Sequence, residues 1–231
     1  MTAGDGVTAP RPNPKSALVV VADGSEEMEA VITIDVLRRA AIIVTVAGLD
    51  GAVRLVPDAS LSTIVASAKK FDIIVFPGGL GGAKAFQLSG TVHSLIHTQL
   101  ADPTRTLAFI CAAPLALGTA ASTQSLVKPN LLPAKLPITS HPSVKDEVVA
   151  LLTKAGVTAV DYKDDARVVV ALNGRLITSR GPGTTFEFAL EIVRQLCGEE
   201  KRNEVAGPML MHPAMEDWSK AVFVGNEEIM N

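Results

Sequence analysis

The sequence predicts one α/β domain of three layers, in which helices cover both faces of a mostly parallel central sheet. Two observations predict this fold. Short apolar runs rich in β-branched residues alternate along the chain with amphipathic stretches of helical spacing. In addition, 48 % of the 231 residues are hydrophobic, which is enough apolar surface for a substantial core.

Four apolar runs in the first half are typical of strands buried on both faces of a sheet, because they are continuous and bounded by turn residues. These runs cover residues 17–22, 41–47, 71–77 and 106–111. Helical patterns follow at residues 28–39, 91–100 and 113–121. In the first of them Val31, Ile34 and Leu37 share one apolar face. In the third, Pro114 falls in the first turn, where proline is tolerated.

The second half continues the alternation with an antiparallel feature. Residues 167–179 form two strand-like runs around Asn173-Gly174, a dipeptide that favours a β-hairpin. Residues 181–198 predict an amphipathic helix that ends at Gly198. Residues 122–135 contain several helix and strand breakers and predict an excursion loop.

The chain is expected to divide into a leader, one domain and a tail. Residues 1–15 hold three prolines and no apolar core of a signal peptide, so they predict a flexible leader. Residues 16–206 predict the folded domain. Beyond Gly207 the pattern weakens, and residues 207–231 are expected to form a tail that is docked or mobile.

Composition and charge argue against several classes of function. The formal net charge is −3 and the pI about 5.8, so charge gives no reason to propose nucleic acid or an anionic membrane as a partner. No apolar run reaches the length of a membrane span. The two cysteines, Cys111 and Cys197, are too few for a disulfide framework. We therefore expect a soluble, cytoplasmic protein with reduced thiols.

Cys111 is the first candidate for chemistry. It ends a predicted buried strand and precedes two alanines and a helix, so it falls at the carboxyl edge of the sheet, where ligands bind in this architecture. The N-terminus of the following helix favours a thiolate over a thiol. The alternative is that Cys111 is a small core residue, since free cysteines are often buried.

Two further segments follow predicted strands and can reach the same edge. Residues 24–30, GSEEMEA, place three carboxylates in one turn. They are either a solvated helix N-terminus or a source of one protonated carboxyl that hydrogen-bonds the Cys111 sulfur. Residues 77–82, PGGLGG, lack the lysine and the spacing of phosphate-binding loops. They are either a tight turn or half of an oxyanion site.

Histidines and the second cysteine give weaker signals. His141 follows a strand-like run and is either a base partner of the cysteine or a loop residue. His93 and His97 lie four residues apart on one helix face, but no further ligand lies nearby in the sequence, and we interpret them as surface residues rather than as a metal site. Cys197 ends an apolar helix face and is interpreted as a core residue.

These segments, taken in order, resemble the ThiJ/PfpI superfamily and, within it, the Parkinsonism-associated deglycase branch. The matching runs span about residues 17 to 200: ALVVVADGSEEMEAVITIDVLRRA, VTVAGL, VPDASL, FDIIVFPGG, ICAAP, SHPSVKD and TSRGPGTTFEFAL. The resemblance implies a flavodoxin-like sandwich that forms a homodimer, with no cofactor and no metal.

The resemblance also implies roles for individual residues. Cys111 matches the nucleophilic, oxidation-sensitive cysteine, Glu29 the protonated glutamate beside it, and His141 the nearby histidine. Backbone amides of the turn at Gly78 and Gly79, and of Ala112, match the positions that hold a substrate oxyanion.

The chain departs from the family pattern in several places. Ala113 stands where animal members commonly have glycine. The segment before VPDASL is shorter, while residues 122–135, the stretch after Lys145 and the tail are longer. These departures affect the expected dimer surface and the rim of the pocket.

The resemblance implies a cysteine-dependent glyoxalase and protein deglycase that acts on methylglyoxal-type aldehydes or glycated proteins. One alternative is an oxidative-stress sensor or chaperone that uses the oxidisable Cys111. A further alternative is a cysteine hydrolase. It ranks lowest because no histidine follows Cys111 directly.

Overall fold

The computed structural model describes residues 13–49, 55–124, 131–211 and 222–224. The strands within these residues are β1 Ser16–Ala22, β2 Ile43–Leu49, β3 Ala59–Ser60, β4 Ile73–Phe76, β5 Thr106–Ile110, β6 Lys135–Ile138, β7 Ala159–Tyr162, β8 Val168–Ala171, β9 Leu176–Ser179 and β10 Val222–Val224. The α-helices are α1 Glu27–Arg39, α2 Leu61–Ala66, α3 Leu80–Leu88, α4 Gly90–Ala101, α5 Pro114–Gln124, α6 Lys145–Lys154, α7 Thr185–Cys197 and α8 Glu199–Ala206.

Eight of these strands form the central sheet in the order β10-β8-β9-β5-β4-β1-β2-β3. All neighbouring pairs are parallel except β8 and β9, which are antiparallel. Strands β6 and β7 pair in parallel as a separate two-stranded sheet. The order places β1, β4 and β5 side by side, so the turns that follow these three strands meet at one edge.

Alternate residues of the central strands enter two separate cores. Leu18 and Val20 of β1 face the core that contains residues of α3, α4 and α5, while Val19 and Val21 face the core that contains residues of α1 and α7. Because both faces of these strands are buried, their sequences are continuous apolar runs rather than alternating ones. This arrangement confirms the predicted three-layer fold with a mostly parallel sheet.

The elements with the strongest local signals are confirmed, and their ends lie within three residues of the predicted ones. The four apolar runs correspond to β1, β2, β4 and β5, and the three helical patterns of the first half to α1, α4 and α5. The hairpin also forms, and Asn173 takes the positive φ of 54° that such a turn requires. Helix α7 ends at Gly198, whose φ of 90° cannot continue a helix.

Other elements differ from the sequence prediction. Of the expected excursion loop, residues 122–124 complete α5 and residue 135 begins β6, while residues 125–130 lie outside the described residues. The strand-like run before His141 is β6. Helices α2, α3, α6 and α8, strand β7 and strand β10 in the expected tail carried no clear signal. Helix α2, for example, has six residues and buries two of them, so its apolar period is too short to recognise.

The interpretation of His93 as a surface residue is wrong. Its side chain is buried in α4, and its Nε2 has no hydrogen-bond partner among the described residues. Another buried polar residue of α4, Gln99, is satisfied, because its Nε2 donates to the carbonyl oxygens of Phe71 at 3.1 Å and Thr106 at 3.0 Å. The buried face of α4 thus contains one polar side chain whose hydrogen bonds are made, Gln99, and one ring nitrogen without a described partner, on His93.

Candidate active site at the carboxyl edge of the sheet

Three of the segments singled out from the sequence meet at the carboxyl ends of adjacent strands. The turn after β1 leads to Glu29, the turn after β4 holds Gly78 and Gly79, and Cys111 directly follows β5. A backbone hydrogen bond joins the first two turns, since the N–H of Glu26 donates to the carbonyl of Gly78 at 3.1 Å.

Cys111 has a strained backbone that its neighbours hold in place. Its φ is +63°, in the left-handed region that non-glycine residues rarely adopt and that costs about 1–3 kcal/mol. The Cys111 N–H donates to the carbonyl of Ser179 at 3.0 Å, and the N–H of His141 donates to the Cys111 carbonyl at 2.8 Å. The side chain is half-buried, and α5 begins three residues later at Pro114.

The glycines of the second turn let the backbone close on Cys111. A Cβ at Gly78 would lie 2.5 Å from the Cβ of Cys111 and 2.9 Å from Glu29 Oε2. Gly79 has a φ of +82°, and a Cβ there would collide with the carbonyl oxygen of Gly24. The glycine run is therefore a close-approach turn that packs directly against the cysteine and the carboxyl group.

Glu29 differs from the other acids of its turn. Glu26 is the N-cap of α1 and accepts from the Glu29 N–H at 2.7 Å, and Glu27 is exposed, so both behave as a solvated helix N-terminus. Glu29 is instead fully buried, and its Oε2 accepts from the Gly78 N–H at 2.6 Å. Burial raises the pKa of Glu29 to about 7, while the Gly78 amide and the Cys111 thiol partly oppose this rise.

The thiol and the carboxyl form a coupled pair. Burial first, and then the charge of Glu29, raise the pKa of the Cys111 thiol to about 12, whereas the backbone N–H groups of Gly79 and Ala112 lower it. The helix N-terminus was expected to favour a thiolate on its own, and burial beside Glu29 outweighs that effect. Because both pKa values are raised, the pair retains a proton at neutral pH, and that proton can lie on either side chain.

The second oxygen of the carboxyl is available to the sulfur. Glu29 Oε1 is buried and has no hydrogen bond of ordinary geometry within the described ranges, while hydrogen bonding between the two side chains contributes to the pKa of each. When the shared proton lies on Glu29, the carboxyl can donate to a thiolate, which the amides of Gly79 and Ala112 also stabilise. The Gly78 amide is already engaged by Oε2.

His141 lies at the edge of this site and touches Cys111 through its backbone. Its Nδ1 bonds the Ser143 hydroxyl at 2.8 Å and accepts from the Ser143 N–H at 3.2 Å, as the N-cap of a 3₁₀ turn over Pro142–Val144. The opposite side of the ring faces Gly181, where a Cβ would lie 3.4 Å from His141 Cδ2.

The remaining candidates lie elsewhere or form no site. Cys197 is half-buried at the end of α7, where Lys15 and Asp72 influence its pKa, which burial raises. These two residues flank the amino ends of β1 and β4, so Cys197 is at the opposite edge of the sheet from Cys111. Among the described residues no group of three His, Cys, Asp or Glu side chains could hold a metal ion. Likewise, none of the helices in the described ranges is long and apolar enough to cross a membrane.

The residue pattern gave no indication of Ser179 and Tyr162, which support the backbone around Cys111 directly or through Ser140. Ser179 was inside a predicted strand, and its pairing with β5 explains why its carbonyl reaches the Cys111 N–H. Tyr162, the single tyrosine of the chain, contacts Ser140 next to His141, and neither its spacing nor its neighbours gave a signal.

A strained cysteine at the carboxyl edge of a mostly parallel sheet, beside a buried carboxyl, defines a thiol-centred α/β protein of flavodoxin-like fold. The family follows from comparison with known proteins. The model of the DJ-1/PfpI family matches residues 15–195, and the chain belongs to this family.

Individual relatives agree with this assignment. The chain is 44 % identical to Protein dj-1beta of Drosophila melanogaster over 207 residues, which cover 85 % of this chain and 97 % of that protein. The crystal structure of Drosophila melanogaster DJ-1beta has a TM-score of 0.73, with 42 % identity, and the match covers 86 % of this chain and 99 % of that one. The chain is also 35 % identical to the glutathione-independent glyoxalase DJR-1.2 of Caenorhabditis elegans, over 85 % of this chain and 97 % of that protein.

Proposed function

We propose that this chain is a cofactor-independent, cysteine-dependent glyoxalase and protein deglycase. Its substrates are methylglyoxal-type α-oxoaldehydes, either free or as adducts on amines and thiols of proteins. The observation that carries the proposal is the placement of the strained Cys111 beside the fully buried Glu29 carboxyl, with the N–H groups of Gly79 and Ala112 next to the sulfur. The name of the Caenorhabditis elegans relative as a glutathione-independent glyoxalase supports the same chemistry.

The reaction begins with addition of sulfur to the aldehyde. With the shared proton on Glu29, the Cys111 thiolate attacks the aldehyde carbon, and the carbonyl π electrons move to oxygen to give a hemithioacetal oxyanion. The N–H groups of Gly79 and Ala112, which act on the sulfur in the free protein, are placed to donate to this oxyanion. Glu29 then protonates the oxyanion and becomes a carboxylate.

The same carboxyl group then moves a proton between the two carbons. The Glu29 carboxylate removes the proton from the former aldehyde carbon, and the electron pair moves to the neighbouring carbonyl oxygen to give an enediolate. Glu29 then returns the proton to the neighbouring carbon, while the hydroxyl proton on the former aldehyde oxygen passes to the second oxygen. This leaves a carbonyl at the sulfur-bearing carbon and a hydroxyl beside it. We assign His141 an assisting role in this transfer from the edge of the site. The product is a thioester of Cys111, and water hydrolyses it to a 2-hydroxy acid and the free thiol. The net reaction adds one water to the oxoaldehyde.

The pKa of Glu29 suits acid–base catalysis at neutral pH. A group whose pKa is about 7 can both give and accept a proton at neutral pH, which a glutamate of ordinary pKa does poorly. Cys111 supplies the sulfur that forms the hemithioacetal, so no external thiol is needed.

We infer that the protein acts as a cytoplasmic homodimer. Two apolar side chains of α1, Met28 and Val31, are 52 % and 47 % exposed and stand three residues apart on the same helix face. Such a pair fits burial against a second copy of the chain. Sedimentation velocity of the purified protein tests the assembly, and a mass of one chain of 24.1 kDa would contradict it.

The experiment that tests the catalytic proposal measures D-lactate formation from methylglyoxal without added thiol. Cys111→Ser should abolish turnover because the nucleophile is lost, and Glu29→Gln should abolish it because the proton shuttle is lost. Cys197→Ser is the matched control, since it removes the other thiol and should keep full turnover. Wild-type turnover in Cys111→Ser would refute the mechanism.

A second candidate function is redox sensing by the same cysteine. It is favoured by the buried Glu29 Oε1, which has no ordinary hydrogen bond and could donate to an oxygen of a Cys111 sulfinate when protonated. Peroxide would supply the two oxygen atoms. Intact-mass analysis after mild peroxide treatment should then find both added at Cys111, and negligible aldehyde turnover in the same preparation would favour sensing over catalysis.

A further inference from the structure

We propose that the Tyr162 phenol is a positioning residue for the Cys111 nucleophile and acts on it through the backbone of Ser140 and His141. The inference rests on the proposed function in taking Cys111 as the reactive group. It adds a residue from the separate β6–β7 sheet to the machinery that sets the reactivity of this thiol.

The Cys111 carbonyl takes a hydrogen-bond donor from outside the central sheet. Cys111 directly follows the last residue of β5, and its φ is positive. The N–H of His141 donates to this carbonyl at 2.8 Å. The position of the His141 backbone therefore helps to decide whether Cys111 keeps its strained conformation.

Residues 139–141 bridge the two sheets and place that N–H group. The Thr139 N–H donates to the hydroxyl of Thr178 in β9 at 3.1 Å, and the Thr139 hydroxyl donates to the carbonyl of Lys163 at 2.9 Å. One end of the bridge is thus fixed to both sheets. The next residue, Ser140, is bonded by the Tyr162 phenol, and its own hydroxyl lies 3.2 Å from the His141 carbonyl.

The Tyr162 phenol binds three atoms of Ser140. Its oxygen accepts from the Ser140 N–H at 3.2 Å, and it lies 3.1 Å from the Ser140 carbonyl and 2.9 Å from the Ser140 hydroxyl. A phenol has one proton to donate and two lone pairs to accept with, so these contacts use its full capacity. The residue that precedes His141 is held on its N–H, its carbonyl and its side chain.

The phenol is itself held rigidly. Tyr162 ends β7 in register with Ile138 of β6, and the ring packs, half-buried, against the core. The Nζ of Lys145 also lies 4.8 Å from the ring centroid and pairs with Asp164 at 2.7 Å, but this ion pair is exposed and adds little to the position of the ring. A fixed phenol can hold the bridge in one position, and a loose phenol could not.

A shift of the Ser140–His141 backbone should change the position of the Cys111 sulfur. If Ser140 and His141 shift, the Cys111 carbonyl loses its donor, and the strained residue relaxes toward negative φ. The sulfur then moves away from the buried Glu29 carboxyl as well as from the N–H groups of Gly79 and Ala112. Because burial beside Glu29 raises the thiol pKa more than these amides lower it, the thiolate should form at lower pH when the phenol oxygen is removed.

The test is the pH dependence of Cys111 alkylation by iodoacetamide, in a Cys197→Ser background so that one thiol reacts. Tyr162→Phe keeps the ring and removes its oxygen. We expect alkylation at pH 7.5 to accelerate by about 3- to 10-fold, the size of change that the loss of one or two neutral hydrogen bonds gives, with the pH–rate profile displaced to lower pH. Ser140→Ala, which keeps the backbone contacts, should give a smaller displacement in the same direction. It also serves as the test if Tyr162→Phe fails to fold.

The matched control is Lys145→Met, which removes the cation above the same ring and its ion pair but keeps the phenol contacts. Its alkylation profile should coincide with that of the parent. The proposal is overturned if Tyr162→Phe folds with an unchanged profile, or if Lys145→Met displaces the profile equally. Since alkylation needs no turnover, a displaced profile together with no D-lactate from the parent protein would refute the proposed function and keep the role of Tyr162.

Discussion

Replacing Glu29 by glutamine should stabilise the protein at neutral pH and leave it almost unchanged in acid. In the unfolded chain the Glu29 carboxyl ionises near its ordinary value of 4.5, and in the folded protein near 7. Between these values the folded state binds more protons, so stability falls as pH rises from 4.5 to 7 and the full loss is present above pH 7. At about 1.4 kcal/mol per pH unit, the loss is about 3 kcal/mol.

The substitution Glu29→Gln removes this loss of stability and keeps the hydrogen bond to Gly78. The glutamine oxygen can accept from the Gly78 N–H as Oε2 does, and the amide never ionises. For a domain of this size, about 3 kcal/mol corresponds to a rise in Tm of about 6–12 °C at pH 8. At pH 5 the expected gain is under about 1 kcal/mol, because wild-type Glu29 is still protonated in the folded state.

The assay is thermal unfolding followed by circular dichroism in buffers from pH 5 to pH 8. Glu27→Gln is the matched control, because Glu27 is an exposed acid of the same helix turn and its loss should change Tm little at any of these pH values. The reasoning would be refuted by a Tm difference between Glu29→Gln and wild type that is the same at pH 5 and pH 8.

Three further substitutions test the packing described above, all by Tm at pH 7. Gly79→Ala should destabilise by more than about 2 kcal/mol and inactivate the site, since the new Cβ meets the carbonyl of Gly24 at a positive φ; a wild-type Tm with full turnover would contradict the close-approach turn. Gln99→Leu should cost about 2–3 kcal/mol because two buried carbonyls lose their donor, and a loss below 0.5 kcal/mol would show that they find another. His93→Leu should stabilise by about 1 kcal/mol, because it removes a buried nitrogen without a partner, and a fall in Tm would mean that Nε2 is satisfied.

The sequence predicted those parts of the fold whose signal is local and repeated. The buried strands are recognisable because each lies between two layers of helices and is apolar on both faces, as Val19 and Val20 illustrate. The hairpin at Asn173 is recognisable because the turn needs a residue that tolerates positive φ. Helices α2 and α8 could not be predicted, since one is short and the other buries a single residue, Val205.

The candidate site was only partly predictable, for a physical reason. Adjacent strands of a parallel sheet bring their carboxyl ends together, so the sequence could predict that the turns near Glu29, Gly79 and Cys111 meet. The residue pattern alone could not predict which of three neighbouring acids is buried, because that depends on how α1 packs against the glycines of another loop. The family resemblance singled out Glu29, which is the buried one. The pattern could not indicate Tyr162 either, whose contact with Ser140 depends on a second sheet that the sequence did not indicate.

Glu29→Gln also separates the two candidate functions, because they use this side chain differently. Catalysis needs Glu29 to give and take a proton at carbon, which an amide cannot do, so D-lactate formation should be lost. Oxidation needs a thiolate and a donor beside it. The charge of Glu29 raises the pKa of the thiol, so glutamine should lower that pKa, and its amide still offers a hydrogen bond to oxygen on sulfur. Peroxide should therefore oxidise Cys111 in Glu29→Gln at least as fast as in wild type at pH 7.5, as measured by the rate of mass increase. If oxidation and turnover were lost together, ionisable Glu29 would be required to form the thiolate itself, and the two functions would share one chemical step rather than diverge after it.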